Sequence, residues 1–274
     1  MVTEKKVAFI TGAARGQGRA HAVRLASQGM NIIGLDICAD IPSMDYHNAA
    51  EEDLQATVKL VEAAGGEMVA VKGDVRSYDN LRQALRLGLD QFDRVDVLIA
   101  NAGIIRISPD GDRDQVWTDI IDVNLTGVWR TVEVVLPAIR SGGRGGSIVI
   151  ISSSAGIRGM ASEKAGAQAY TAAKRGLVGL MQVLAKQYAD EMIRVNTVHP
   201  TGVASGMTLN PVMQAQIAEA AAGGKNTISQ MQNVMPVDML QPENIADAVA
   251  WLVSDAAAYV TGVQLPVDAG FAVN

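Results

Sequence analysis

Val7-Ala8-Phe9-Ile10-Thr11-Gly12-Ala13-Ala14-Arg15-Gly16-Gln17-Gly18 is the stretch whose order decides the fold. Val7 to Thr11 is an apolar run of strand length. A glycine-rich turn follows directly, and Ala20, Val23, Leu25 and Ala26 then recur at helical spacing up to Gly29, a usual helix stop. Glycine permits a tight turn and lets the backbone approach a pyrophosphate closely. Free amides at a helix start face such an anion. Strand, glycine turn and helix in this order are the context in which such a turn reads as a dinucleotide phosphate loop. Its candidate residues are Gly12, Ala14, Arg15, Gly16, Gln17 and Gly18.

Working outward, apolar runs over 31–36, 68–72, 95–100, 147–152, 194–198 and 263–267 read as strands. Segments of helical period over 51–64, 81–92, 114–140, 168–191 and 243–254 alternate with them. Unbroken Val/Ile runs imply strands buried on both faces, which belongs to a parallel sheet covered by helices. The reading is α/β: a single Rossmann-type, doubly wound parallel sheet of about seven strands with helices on both faces. No repeat or linker divides the chain, so one domain is expected over 1–274. Two segments break the rhythm. Residues 37–50 form an insert, and 200–241 carries Pro211, Gly223, Gly224, Pro236 and several methionines. Long excursions at a strand's carboxyl end commonly close over ligands, so 200–241 is expected to be a substrate or cofactor lid.

The 274 residues are 49% hydrophobic and 19% charged, with a net charge of −6. That reads as globular, and without a basic cluster nucleic acid is not an expected partner. The single cysteine, Cys38, allows no internal disulfide and fits a reducing compartment. No signal-peptide pattern follows Met1, and no apolar run approaches the ~20 residues of a membrane helix. A cytoplasmic location is expected, with no membrane contact. His21, His47 and His199 make no metal spacing.

Asp36 ends the second strand, where a carboxylate can accept hydrogen bonds from ribose hydroxyls and would repel a 2′-phosphate. NAD is therefore favoured over NADP as cofactor, although Arg15 could pair with a phosphate. Asp74-Val75 and Asn101-Ala102-Gly103 follow the third and fourth strands and are candidates for adenine and ribose contact; either could also be a plain turn.

Tyr170 and Lys174 share one helix face. Ser153 follows the preceding strand, and Asn124 lies in the helix before that. Hydride leaves a carbinol carbon only if its hydroxyl proton also leaves. Bringing a phenol with a pKa near 10 to neutral pH asks for about 4 kcal/mol. A lysine ammonium ~4 Å away at an effective dielectric near 20 supplies roughly that much. Tyr170 is thus expected to be the acid/base, acidified by Lys174. Ser153 would hold the substrate oxygen, and Asn124 a water leading from Lys174 to solvent.

TGAARGQG, NAG at Asn101, Asn124 in DVNLTG, the serine after GSIVIIS, YTAAK and RVNTVHPTG together resemble the short-chain dehydrogenase/reductase family over nearly the whole chain. The resemblance implies a catalytic tetrad of Asn124, Ser153, Tyr170 and Lys174, with Tyr170 and Lys174 also meeting the cofactor. It implies a cofactor loop through Gly12, Gly16 and Gly18. Pro200, Thr201, Gly202 and Val203 would lie beside the nicotinamide amide, and a homotetramer would be the assembly. More narrowly, GAARGQGRAHAVRLA, the insert after LDIC and NTVHPTGV resemble the carveol-dehydrogenase-like, mycofactocin-associated branch. That implies a secondary alcohol or its ketone as substrate, and tightly held NAD recycled by a mycofactocin-type redox carrier.

The sequence departs from the family at Ala100, at Pro200-Thr201-Gly202, and in an insertion over 158–166. Of Ser152 to Ser154, Ser153 matches best because Gly156 sits three residues on. The rival readings are a dehydrogenase with freely exchanging NAD(P) on a steroid, sugar or acyl substrate, an NADP-dependent reductase, and a nucleotide-binding redox sensor. The last predicts a damaged tetrad, and all four positions are present.

Overall fold

Strands β1 (Val7–Thr11), β2 (Asn31–Asp36), β3 (Met68–Lys72), β4 (Val97–Ala100), β5 (Gly146–Ile151), β6 (Ile193–Pro200) and β7 (Gln264–Val267) form one parallel sheet in the computed structural model. The spatial order is β3-β2-β1-β4-β5-β6-β7. The structure describes residues 5–109, 111–159, 161–226, 228–230 and 232–274. Side chains alternate across a strand, so each unbroken apolar run feeds two cores. Phe9, Leu35, Leu98, Ile148 and Val195 point to one face, under α3 (Tyr78–Phe92), α4 (Arg113–Ile121), α5 (Gly127–Ser141) and α6 (Ala165–Gln187). Ile10, Ile32, Ile99, Val149 and Val198 point to the other, under α1 (Gly16–Ala26), α2 (Glu51–Ala63) and α8 (Pro242–Val253). Among the described residues no helix is long and apolar enough to cross a membrane.

The strand order reverses between β1 and β4, and a crevice opens there at the carboxyl ends of the strands. Two elements differ from the sequence expectation. The helix expected over 114–140 is split by a π-helical turn, Asp122–Thr126, which carries Asn124. The 200–241 excursion contains α7 (Pro211–Ala221), with Asn210 accepting from the Met213 amide as its cap. Pro211 reads as a breaker in sequence, yet proline is favoured at a helix's first position. The excursion is closed at its base by Val203 pairing with Leu240, where Leu240 N donates to Gly202 O and Ala204 N to Leu240 O, each at 2.9 Å.

Candidate active site

The turn after β1 is glycine by geometry. Gly12 and Gly16 hold φ of +67° and +55°, the region glycine enters freely. A Cβ on Gly18 would meet the Gly12 carbonyl oxygen at 1.9 Å. Arg15 stands at the N-cap of α1 and supplies no side-chain cap, so the first amides of the helix stay open to an anion. Gly12, Arg15, Gly16, Gln17, Asp36, Asp74, Val75, Asn101, Ala102 and Gly103 line one cleft. Ala14 and Gly18 are buried behind its wall. Gln17 Oε1 is buried without a partner.

Asp36 is buried at the end of β2; its Oδ2 accepts from Ala14 N at 2.9 Å, and its Oδ1 from Cys38 N at 3.1 Å and Cys38 Sγ at 3.9 Å. Burial pushes its carboxyl up, against the pull of these amides and of Arg15. Oδ2 keeps a lone pair for a further donor. Asp74 accepts from Arg76 N at 2.8 Å and Arg76 Nε at 2.9 Å, and Arg76 also donates to Asp119. Its carboxylate is thus held in an ion pair, while its backbone stays at the cleft. Asn101 Nδ2 donates to Thr11 O and Gly12 O, stapling the end of β4 to the phosphate loop. The Arg15 side chain bridges two walls of the cleft: its Nη2 donates to His47 O at 2.6 Å, and its guanidinium lies against Gly206.

A second pocket adjoins this cleft, and Gln17, Ser205 and Met207 line both. Ser153, Tyr170 and Pro200 to Val203 converge there among Ile105, Ile107, Ala155, Met213 and Ile228. The three serines separate by function of their hydroxyls. Ser152 Oγ donates to Lys174 O at 2.9 Å, Ser154 is buried, and Ser153 lines the pocket together with Tyr170. Ser153 Oγ also accepts from Ala155 N.

Lys174 is buried, donates to Ile151 O at 2.8 Å, and lies 5.6 Å from the Tyr170 ring centroid. The expected acidification of Tyr170 by Lys174 is not found in the protein alone. Burial raises the phenol above its ordinary value, and the nearby Ser153 hydroxyl only offsets part of it. The ammonium is directed at a carbonyl, and burial pushes Lys174 itself down to about 8. Asn124 bonds to the backbone of Ile104. Its Nδ2 donates to Ile104 O at 2.7 Å and its Oδ1 accepts from Ile104 N at 2.8 Å. It pins the chain beyond β4, and both Asn124 Oδ1 and Lys174 Nζ crowd the place of a Cβ on Gly103, at 3.0 and 3.5 Å.

The 37–50 insert reaches the cleft through residues that the sequence did not single out. Ile41, Tyr46 and Asn48 line the cofactor-side cleft. Tyr46 Oη accepts from Ile105 N, Ser43 Oγ donates to Asp119 at 2.6 Å, and Arg106 Nη1 donates to Ser43 O. Alternating polar and apolar residues around Pro42 gave no period from which to read this. His199, isolated in sequence, is fully buried with both ring nitrogens bonded.

A glycine turn at the switch point, and a Ser-Tyr-Lys set beside it, define a dinucleotide-dependent oxidoreductase site. The chain belongs to the short-chain dehydrogenase family, whose model matches residues 6–216. It is 53% identical over 268 residues to an uncharacterized oxidoreductase of Mycobacterium tuberculosis, covering 98% of this chain and 96% of that one. It is 38% identical to (-)-trans-carveol dehydrogenase of Rhodococcus erythropolis, with 97% of each chain covered. Among solved structures, carveol dehydrogenase from Mycobacterium avium in complex with NAD superposes with a TM-score of 0.90 at 43% identity, covering 99% of both chains.

Proposed function

We propose that this protein is an NAD-dependent oxidoreductase that interconverts an apolar, carveol-like secondary alcohol and its ketone, with Tyr170 as acid/base. The observation that carries the reading is that Ser153 and Tyr170 line one apolar pocket, which shares its wall with the dinucleotide cleft. The residues fit that cofactor. Uncapped α1 amides suit a pyrophosphate, and Asp36 has acceptor capacity left for ribose hydroxyls and repels a 2′-phosphate. Asp74 and Val75 would flank the adenine, and Asn101 to Gly103 a ribose. Gln17 Oε1 awaits a donor.

NAD bound there would exchange a hydride with the carbinol carbon. The rest is done by the chain. Ser153 holds the substrate oxygen beside Tyr170, and Tyr170 takes the hydroxyl proton during oxidation or returns it during reduction. With a pKa of about 8, Lys174 can pass that proton on near neutral pH and reach the nicotinamide ribose. Asn124 fixes Gly103 and Ile104 beneath it. Thr201 to Val203, on the wall of the substrate pocket, would flank the nicotinamide amide. Ile105, Ile107, Met213 and Ile228 favour an apolar body on the substrate.

The finer readings are also proposals. The 37–50 insert and the 200–241 excursion meet across the cleft through Arg15, which supports a lid and long retention of NAD. A mycofactocin-type carrier would then reoxidise the cofactor in place. Exposed Trp117, Trp129 and Val183 support burial in a homotetramer, and the lone buried Cys38 suits the cytoplasm.

The test has two arms. Mass spectrometry of the co-purifying dinucleotide should return NAD, and carveol and cyclohexanol should be oxidised with an artificial electron acceptor. Tyr170→Phe, cofactor-loaded and folded, should lose about 10²- to 10⁴-fold in turnover, the scale of a missing general acid/base. Oxidation at the original rate by that variant would end the reading.

A further inference from the structure

His199 and Thr197 lie two residues apart on β6, so their side chains share one face of the sheet. The His199 ring is fully buried. Its Nδ1 lies 2.8 Å from the Ser153 carbonyl oxygen and its Nε2 lies 2.9 Å from Thr197 Oγ1. A carbonyl only accepts, so Nδ1 carries the proton and Nε2 accepts from the Thr197 hydroxyl. The same Ser153 carbonyl accepts from Gly156 N at 2.8 Å, which fills both of its lone pairs. On the other side, Ser152 N donates to Val198 O at 2.8 Å. The peptide bearing Ser153 is thus clamped where β5 gives way to a single tight turn, Ser154–Gly156.

We propose that His199 is a positioning residue: wedged between Thr197 and the Ser153 carbonyl, its ring holds the peptide that presents the Ser153 hydroxyl to Tyr170. This rests on the reading of Ser153 and Tyr170 given above. His199 touches neither pocket wall, so it acts only through Ser153. Lys174 and Arg175 from α6 and Asp268 beyond β7 are the charged groups that face it. Burial and the two cations push its own titration down, so the ring stays neutral at working pH. The nearby Ser153 hydroxyl lowers the Tyr170 phenol against the effect of burial. Loosening Ser153 therefore raises the pKa of the phenol.

The experiment compares His199→Leu, His199→Asn, Thr197→Val, Ser153→Ala and the Ser153→Ala/His199→Leu double variant. The assay is carveol oxidation, or cyclohexanol if it is faster, alongside NAD affinity. His199→Leu should lower kcat by about 10- to 100-fold, the scale of a small misplacement at a reacting centre. NAD affinity should hold, and the acid limb of the kcat profile should move to higher pH. His199→Asn keeps a donor near the Nδ1 position and should recover most of the loss. The double variant should be no slower than Ser153→Ala alone. If His199→Leu does not fold, Thr197→Val carries the test, with a smaller loss in the same direction that also vanishes in the Ser153→Ala background. Additive losses, or an unshifted pH profile with unchanged kcat, overturn the proposal. An unimpaired Ser153→Ala would instead overturn the catalytic reading beneath it.

Discussion

Lys174 puts an amino group into the protein interior, and the cost and the use of that placement have one origin. Burial pushes its pKa from 10.5 down to about 8. Because the folded protein holds this proton less tightly than the unfolded chain, stability rises with pH between about 8 and 10.5 and the full penalty stands below pH 8. That penalty is about 3 kcal/mol. Lys174→Met removes it and also loses the hydrogen bond to Ile151 O, a term near 1 kcal/mol. The variant should therefore be about 2 kcal/mol more stable than the parent at pH 7 while losing alcohol oxidation. Its advantage should shrink as the pH approaches 10. Urea unfolding at pH 7 and pH 9.5 checks this, and a gain equal at both values would mean that the buried charge is not its source.

At the scale of elements, the π-helical turn Asp122–Thr126 shows why part of the site could be read in sequence and part could not. Residue types were legible. Asn124, Ser153, Tyr170 and Lys174 could be picked out, and the strands appeared because a strand buried on both faces has to be apolar at every position. The turn was not legible, since one extra residue in a helix leaves the apolar spacing on either side nearly unchanged. Nor was α7, whose weak amphipathic pattern hides among alanines. The turn aims Asn124 at the backbone of Ile104 and not at solvent. Such turns are frequent at functional sites. Asn124→Ala would leave a buried N–H and C=O of Ile104 without their partner, each a loss of about 1–3 kcal/mol. We expect roughly 2–4 kcal/mol lower stability, together with weaker NAD binding as Gly103 shifts on the cleft wall. Asn124→Asp keeps only the acceptor and should fall between the two. Denaturation midpoints order the three proteins, and a parent-like Asn124→Ala would show that the segment beyond β4 is held by other contacts.

Over the whole molecule, two segments far apart in sequence line the cleft, and one side chain from the phosphate loop joins them. Arg15 donates to the backbone of the insert at His47 and packs against Gly206 of the 200–241 excursion. The insert is tied down independently through Ser43, Tyr46 and Arg106. The excursion is held at its base by Val203 and Leu240 and by Thr201 Oγ1 donating to Asn233. Both segments therefore have an anchored root and a margin over the cleft, and Arg15 is where the margins meet. The bond to His47 is made to a carbonyl, so side-chain changes at 47 should leave it intact, whereas Arg15→Ala removes it together with the packing on Gly206. If this junction governs how long the dinucleotide stays, its loss should raise the NADH dissociation rate by about tenfold, equivalent to about 1.4 kcal/mol. His47→Ala should leave that rate near the parent value. Stopped-flow displacement of bound NADH, followed by its fluorescence, measures both. Equal rates in the parent and Arg15→Ala would place the barrier to release elsewhere, in the anchored roots and not where the margins meet.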